Sequence, residues 1–186
     1  MVTIETSRLI LRRWRERDVP VMAEVNADPE VMRWIGDGKV LSPERTRAAI
    51  ERIERLWDTE GFGLFAVELR ETGELAGFTG LSVPSFLPEV LPAVEIGWRL
   101  GRPFWGRGIA TEAATAALRF GFESCELERI ISIARIGNTA SERVMAKLGL
   151  RAEREATVPG NGTAVRVHEL TRARYPARRP GPGGPC

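Results

Sequence analysis

The chain has 186 residues, of which 43% are hydrophobic and 28% are charged, and its formal net charge at pH 7 is +2. That length allows one domain with a substantial core. Because the positive and negative charges are nearly balanced, the composition does not favour a nucleic-acid-binding protein. The two cysteines cannot form a disulfide framework, and we find neither a signal peptide at the start nor an apolar stretch long enough to cross a membrane, so we expect a cytoplasmic protein.

The first half of the chain predicts one strand, three helices and a β-hairpin. The third helix has the clearest start, because Ser42 supplies an N-cap hydroxyl, Pro43 suits the first helical position and Glu44 faces the helix dipole. A turn at 71–74 joins the two strands of the hairpin. The predicted bounds are 9–14 for the first strand, 17–26, 28–35 and 42–58 for the helices, and 62–69 and 75–81 for the hairpin strands.

The second half alternates strands and helices after a connection that contains Pro84, Pro88 and Pro92. Its predicted strands are 93–100, 130–134, 150–155 and 165–170, and its helices are 109–124 and 139–148. This order predicts a single α/β domain with a mixed sheet over residues 1–175. The segment 176–186 is rich in proline, glycine and arginine, and we expect it to be disordered.

A glycine-rich turn connects strand 93–100 to the following helix. Gly106 and Gly108 let backbone amides approach an anion, the helix start favours a phosphate, and Arg107 adds a positive charge. A P-loop is disfavoured because Arg107 stands in place of the motif's lysine. A dinucleotide-binding fingerprint is disfavoured because Thr111 stands in place of its third glycine. A turn without a ligand is the simpler alternative, but the context of strand, glycines, helix and arginine favours binding.

The stretch 106–113 resembles the acyl-CoA signature of the GNAT N-acetyltransferase superfamily, and most of all its Rim-type branch, which includes ribosomal-protein N-terminal acetyltransferases. Trp105, Gly108 and Ala110 hold the three positions of the family pattern. The resemblance implies a GNAT-like fold, with a central, mostly antiparallel sheet flanked by helices and a splayed strand pair that receives acyl-CoA. The cofactor-binding residues that it implies are Ile96, Gly97, Trp98, Trp105, Gly106, Arg107, Gly108, Ile109, Ala110, Thr111, Asn138 and Ser141.

A second helix start follows at Asn138, which is a good N-cap. A well-capped amphipathic helix explains nearly all of this segment, but the family resemblance implies that Asn138 bonds the cofactor and that Ser141 lies near its sulfur. Many family members place a tyrosine acid where Met145 stands here, and the only tyrosine is Tyr175. We therefore expect Ser141 to hydrogen-bond the departing thiolate instead.

Acetyl transfer to an amine also needs a base, and Glu95 is the best candidate. Alternation along the strand places Glu95, Gly97 and Arg99 on one face, opposite to the apolar residues. The alternative is a surface carboxylate that pairs with Arg99 or Arg135.

These features predict an enzyme that moves acetyl from acetyl-CoA directly to a primary amine, without a metal, a nucleic acid or a membrane. In the absence of a strong acidic patch, a protein or peptide N-terminal α-amine is favoured over a polyamine. The alternative acceptor is a small-molecule amine. The alternative functions are a non-catalytic acyl-CoA sensor and a nucleotide-dependent kinase or NTPase, and the protein could also form a homodimer. The aromatic residues that could line the acceptor pocket are Trp34, Trp57, Phe62 and Phe86.

Overall fold

The computed structural model describes residues 2–176, so nearly all of the segment predicted to be disordered, 176–186, lies outside the described residues. Within the described range the chain forms eight strands and five α-helices. The strands are β1 (Ile4–Glu5), β2 (Leu9–Arg12), β3 (Leu64–Leu69), β4 (Leu75–Ser82), β5 (Val94–Leu100), β6 (Arg129–Arg135), β7 (Arg151–Thr157) and β8 (Ala164–Thr171). The helices are α1 (Asp18–Ala27), α2 (Pro29–Met32), α3 (Pro43–Glu60), α4 (Ile109–Glu123) and α5 (Thr139–Lys147).

The strands form one sheet in the order β1-β2-β3-β4-β5-β6-β8-β7. Every neighbouring pair is antiparallel except β5 and β6, which run parallel and register only Val94 with Ile130 and Glu95 with Ile131. Beyond Glu95 these two strands separate and open a gap in the middle of the sheet. The prediction of a mixed, mostly antiparallel sheet with a splayed pair is therefore confirmed.

Helix α4 covers one face of the sheet behind this gap. Five of the eight residues in its buried stripe are alanine or glycine, and a Cβ atom on Gly121 would lie 2.7 Å from Ile130 Cδ1. Ala113 and Ala117 on the same stripe are fully buried. Only small residues therefore allow the helix to lie this close to the strands, as the sequence pattern indicated.

Alternation along β5 separates two faces of the sheet, as predicted. Ile96 and Leu100 are buried in the core that also contains α4 residues. Arg99 points to the opposite face, where its Nη1 donates to Asn26 Oδ1 on α1 at 2.6 Å and its guanidinium lies over the Phe78 ring. Glu95 shares this second face with Arg99 by strand periodicity.

The structure departs from the predicted elements in several places. The first predicted strand ends at Arg12 and not at residue 14, because the Trp14 amide donates to the Glu54 carboxylate at 3.2 Å and not to a neighbouring strand. The helix predicted over 28–35 ends at Met32. The two-residue strand β1 was missed, since so short a segment carries no periodicity. None of the helices within residues 2–176 is both long enough and apolar enough to cross a membrane.

Candidate active site

The glycine turn before α4 adopts a backbone conformation that few other residues accept. Gly106 has a φ of 71° and Gly108 a φ of 76°, both in the left-handed region. A Cβ atom on Gly106 would meet no atom within 4 Å, so its surroundings are open. The turn therefore needs glycine at these positions because of its backbone conformation. It also faces open space in which a ligand can lie.

The amides of this turn form an unpaired row of donors. Within residues 2–176, none of the backbone N–H groups from Gly106 to Thr111 makes a well-aligned hydrogen bond to a protein acceptor, and the first such bond comes from Glu112 N to Gly108 O at 3.0 Å. The positive end of the α4 dipole lies at the same place. A row of donors at a helix start is the arrangement that binds phosphate groups.

The N-terminal segment holds this turn in place, which the sequence did not indicate. Arg8 Nη1 donates to the Arg107 carbonyl at 2.9 Å, and Arg8 Nε donates to Glu112 at 2.6 Å. The hydroxyls of Thr6 and Ser7 donate to the same carboxylate at 2.6 and 3.0 Å. These contacts span about a hundred residues of sequence, so no local pattern could have revealed them.

A cavity of about 930 Å³ runs from the glycine turn through the gap between β5 and β6 to the opposite face of the sheet. Most of the residues predicted from the sequence line it: Glu95, Gly97, Trp98, Trp105, Gly106, Gly108, Ile109, Ala110, Thr111, Asn138 and Ser141. Two do not. The Arg107 side chain is exposed and lies over the Phe104 ring, and the Ile96 side chain is buried in the core.

The gap begins at a hydrogen bond that the sequence did not reveal. The hydroxyl of Ser132, on β6, donates to the carbonyl of Ile96 at 2.8 Å and is buried. Since Gly101 N bonds to Ala76 O on the β4 side, alternation directs the backbone groups of Ile96 and Trp98 towards β6. The Trp98 N–H and C=O therefore border the gap, where an extended ligand can pair with them.

Glu95 is half-buried, lines the cavity and forms no ion pair within residues 2–176. The two arginines that could have paired with a surface carboxylate are engaged elsewhere, Arg99 with Asn26 and Arg135 with the Arg33 carbonyl at 3.0 Å. Burial raises the pKa of the Glu95 carboxyl to about 8, and the backbone amide of Ile133 offsets part of that rise. A carboxyl with such a pKa can exchange a proton with an amine near neutral pH.

The start of α5 lies on the other side of the gap. Asn138 Oδ1 accepts from Ser141 N at 3.2 Å, which confirms the predicted N-cap. Met145 is fully buried, and Tyr175 stacks on Phe122 with ring centroids 4.6 Å apart, outside the cavity lining. Because this is the only tyrosine of the chain, the cavity contains no phenol.

The part of the cavity on the sheet face opposite α4, which includes Arg99 and which we name the acceptor half, contains two of the four predicted aromatic residues. Trp34 and Phe86 line it, whereas the predictions for Trp57 and Phe62 are wrong. Trp57 is 5% exposed and packs edge-on against Phe65, because it lies on the face of α3 that turns towards the core. Among residues 2–176 no group of three or more His, Cys, Asp or Glu side chains could hold a metal ion.

Comparisons with known proteins agree with this geometry. Residues 8–151 match the family model described as an acetyltransferase (GNAT) domain. The chain is 30% identical over 153 residues to the uncharacterized N-acetyltransferase p20 of Bacillus licheniformis, covering 82% of this chain and 84% of that protein. It is 27% identical to the [ribosomal protein uS5]-alanine N-acetyltransferase of Escherichia coli, covering 82% and 79%.

A solved structure of similar fold is the GNAT-family acetyltransferase from Bacillus anthracis. It superposes with a TM-score of 0.77 at 28% identity and covers 92% of this chain and 99% of that one. The predicted GNAT-like fold and the resemblance to the Rim-type branch are thereby confirmed.

Proposed function

The chain belongs to the GNAT acetyltransferase family and is an acetyl-CoA-dependent N-acetyltransferase, and on this premise we propose that its acceptor is the N-terminal α-amine of a protein or peptide. One observation carries the proposal: a single cavity is lined both by the amides at the start of α4, which have no hydrogen-bond partner within residues 2–176, and by the carboxyl of Glu95, which forms no ion pair there. A thioester that extends from the turn into the gap brings its carbonyl towards Glu95.

The phosphate end of acetyl-CoA binds at the turn in this proposal. The amides from Gly106 to Thr111 donate to the pyrophosphate oxygens, and the dipole of α4 adds to the attraction. Arg143 and Lys147, on α5, line the same cavity and bring positive charge to the phosphates. The pantetheine arm pairs with the Trp98 backbone as an added strand would.

The reaction joins the amine nitrogen to the acetyl carbon and breaks the bond from that carbon to sulfur. Glu95, in its ionised form, accepts the proton that the amine loses, while an amide of β5 that borders the gap donates to the oxyanion. One such donor is worth about 3 kcal/mol in a water-excluded site. Ser141 hydrogen-bonds the departing thiolate. The α-amine of a free peptide has a pKa of ~8, so a base of similar pKa suffices.

A peptide acceptor is supported by the surroundings of the cavity mouth and by one relative. The connection after β4 exposes Val83, Phe86 and Leu91, which are 40%, 48% and 40% accessible, and Phe86 also lines the cavity. Exposed apolar residues beside a site favour a partner larger than a simple amine. The E. coli relative is named for acting on an alanine of a ribosomal protein.

The test is a panel of acceptors mixed with acetyl-CoA, in which release of the CoA thiol is followed. The panel contains peptides with a free N-terminus, the same peptides with a blocked N-terminus and an internal lysine, polyamines and amino acids. We expect thiol release only with free N-termini, and mass spectrometry should locate the acetyl group on the α-nitrogen. Release with small amines alone would contradict the proposed acceptor, and acetyl-CoA binding without release from any amine would indicate a sensor.

A further inference from the structure

Arg99 carries a positive charge into the acceptor half of the cavity without a carboxylate to balance it. Its Nη1 donates to the neutral Asn26 Oδ1 at 2.6 Å, its Nε is buried without a hydrogen-bond partner, and no acidic side chain within residues 2–176 forms an ion pair with it. Burial lowers the pKa of Arg99 to about 10, so the guanidinium is still charged at neutral pH. A partly buried charge without a counter-charge is costly, and a carboxylate from outside the protein would supply that counter-charge.

The buried guanidinium of Arg12 differs from that of Arg99 because it has carboxylate partners inside the protein. Arg12 is 4% exposed and contacts two carboxylates, with Nη1 2.7 Å from Asp18 and Nε 2.8 Å from Glu68. Arg12 lies outside the cavity lining, whereas Arg99 lies in it. The Arg12 guanidinium thus has two carboxylate partners inside the protein, whereas the Arg99 guanidinium has none within residues 2–176.

The neighbours of Arg99 do not supply the missing charge. Asn26 is held by its Nδ2, which donates to Thr46 Oγ1 at 3.0 Å, so that its oxygen faces Arg99. Arg135 also lines the cavity and has no acidic partner within residues 2–176. Glu30 is the one other carboxylate in the described cavity lining besides Glu95, and it lies 3.8 Å from Arg33. The acceptor half is therefore positively charged, which disfavours a polyamine.

We propose that the Arg99 guanidinium binds a carboxylate of the acceptor, so that preferred acceptors are primary amines that carry a carboxylate near the reacting nitrogen. This inference rests on the proposed function, for which it specifies an acidic residue at position two or three of the acceptor peptide. Glu95 and Arg99 lie on one face of β5 four residues apart, about 13 Å between their Cα atoms. The long side chains of Glu95 and Arg99 can lean along the strand and bridge part of that distance, and an extended peptide advances ~3.4 Å per residue.

The experiment compares peptides that differ only by Asp or Asn at position two, and a second pair that differs at position three. Each is titrated calorimetrically into the full chain saturated with CoA, so that binding is measured without turnover. In one of the pairs we expect the Asp peptide to bind about 10-fold more tightly than its Asn counterpart. Arg99→Gln should abolish the difference, because glutamine keeps a donor for Asn26 but loses the charge, and Arg99→Lys should retain part of it.

Arg47→Gln is the matched control, because Arg47 is an exposed arginine outside the cavity lining and should leave the preference unchanged. Equal affinities for Asp and Asn peptides in both pairs, a preference that survives Arg99→Gln, or no binding by any peptide at millimolar concentration would each overturn the inference. Thiol release with the same peptides tests the proposed function separately. Tighter binding of the Asp peptide without release of the CoA thiol would refute only the proposed peptide acceptor. Equal binding and equal acetylation of the Asp and Asn peptides would refute only the proposed role of Arg99.

Discussion

The guanidinium of Arg8 and the carboxylate of Glu112 join the N-terminal segment to the first turn of α4, with Arg8 Nε 2.6 Å from Glu112 Oε2. The same arginine donates to the Arg107 carbonyl inside the glycine turn. Burial by itself would raise the pKa of Glu112, but hydrogen bonds from Thr6 and Arg8 outweigh it and lower that pKa to about 2. The carboxylate is thus ionised at neutral pH and fixes the turn through Arg8.

Removal of this arginine should weaken cofactor binding more than folding. In Arg8→Ala the Arg107 carbonyl loses its donor, the turn gains alternative conformations, and we expect the dissociation constant for acetyl-CoA to rise about 10-fold. Arg47→Ala, which removes a comparably exposed arginine from its ion pair with Glu16, is the control. Calorimetric titration of both variants gives the comparison. An unchanged affinity in Arg8→Ala, with both proteins folded, would show that the contact does not hold the turn.

The positive φ of Gly106 provides a second prediction. Gly106→Ala forces an L-residue into the left-handed region at a cost of about 1 kcal/mol, so the turn should relax to another shape and lose affinity for acetyl-CoA. Gly149→Ala is closely matched, since Gly149 has a φ of 85° and likewise no atom within 4 Å of an added Cβ, but it lies outside the cavity lining. We expect both variants to lose a similar amount of folding stability, and only Gly106→Ala to lose affinity for acetyl-CoA. Equal affinities of Gly106→Ala and Gly149→Ala for acetyl-CoA would contradict this role of the turn.

Replacement of Glu95 should affect turnover more than cofactor affinity. Glu95→Gln preserves the shape of the side chain but cannot accept a proton, so we expect kcat to fall about 10²-fold while the dissociation constant for acetyl-CoA stays within a factor of ~2. Steady-state kinetics with a saturating acceptor, together with a titration, provide both values. A variant that keeps its full turnover at every pH would remove Glu95 from the mechanism.

The raised pKa of Glu95 also makes a prediction about stability. The folded state binds this proton more tightly than the unfolded chain, because the pKa rises from 4.5 to about 8 on folding. The wild type should therefore lose stability as the pH increases from about 5 through 8, relative to Glu95→Gln, which resembles the protonated form. Urea unfolding of both proteins at several pH values measures the difference. Parallel stability curves across this window would show that folding does not raise the pKa of this carboxyl.

Much of the cofactor half of the site could be predicted because its signals are local. The glycines at 106 and 108, the small residues of α4 and the N-cap at Asn138 each act within one turn of the chain, so their sequence positions determine their structure. Alternation along β5 likewise placed Glu95 on the face that borders the cavity. The opening of the gap itself came from the family resemblance, since no residue pattern in β5 or β6 encodes it.

The features that were missed depend on contacts between distant parts of the chain. Ser132 and Ile96 meet only once β5 and β6 are neighbours, and Arg8 reaches the glycine turn only because β2 lies in the same sheet. The error at Trp57 has a similar cause, because an aromatic residue on a helix has the same sequence pattern whether it faces the core or a pocket. Tertiary packing decides between these outcomes.

The most direct test of pyrophosphate binding at the glycine turn is a calorimetric comparison of acetyl-CoA with S-acetylpantetheine, which carries the same thioester without the pyrophosphate and nucleotide. If the amides from Gly106 to Thr111 hold the pyrophosphate, acetyl-CoA should bind and S-acetylpantetheine should bind at least about 100-fold more weakly, a difference near ~2.7 kcal/mol. Equal affinities for the two thioesters, or no heat with acetyl-CoA, would contradict this role of the turn.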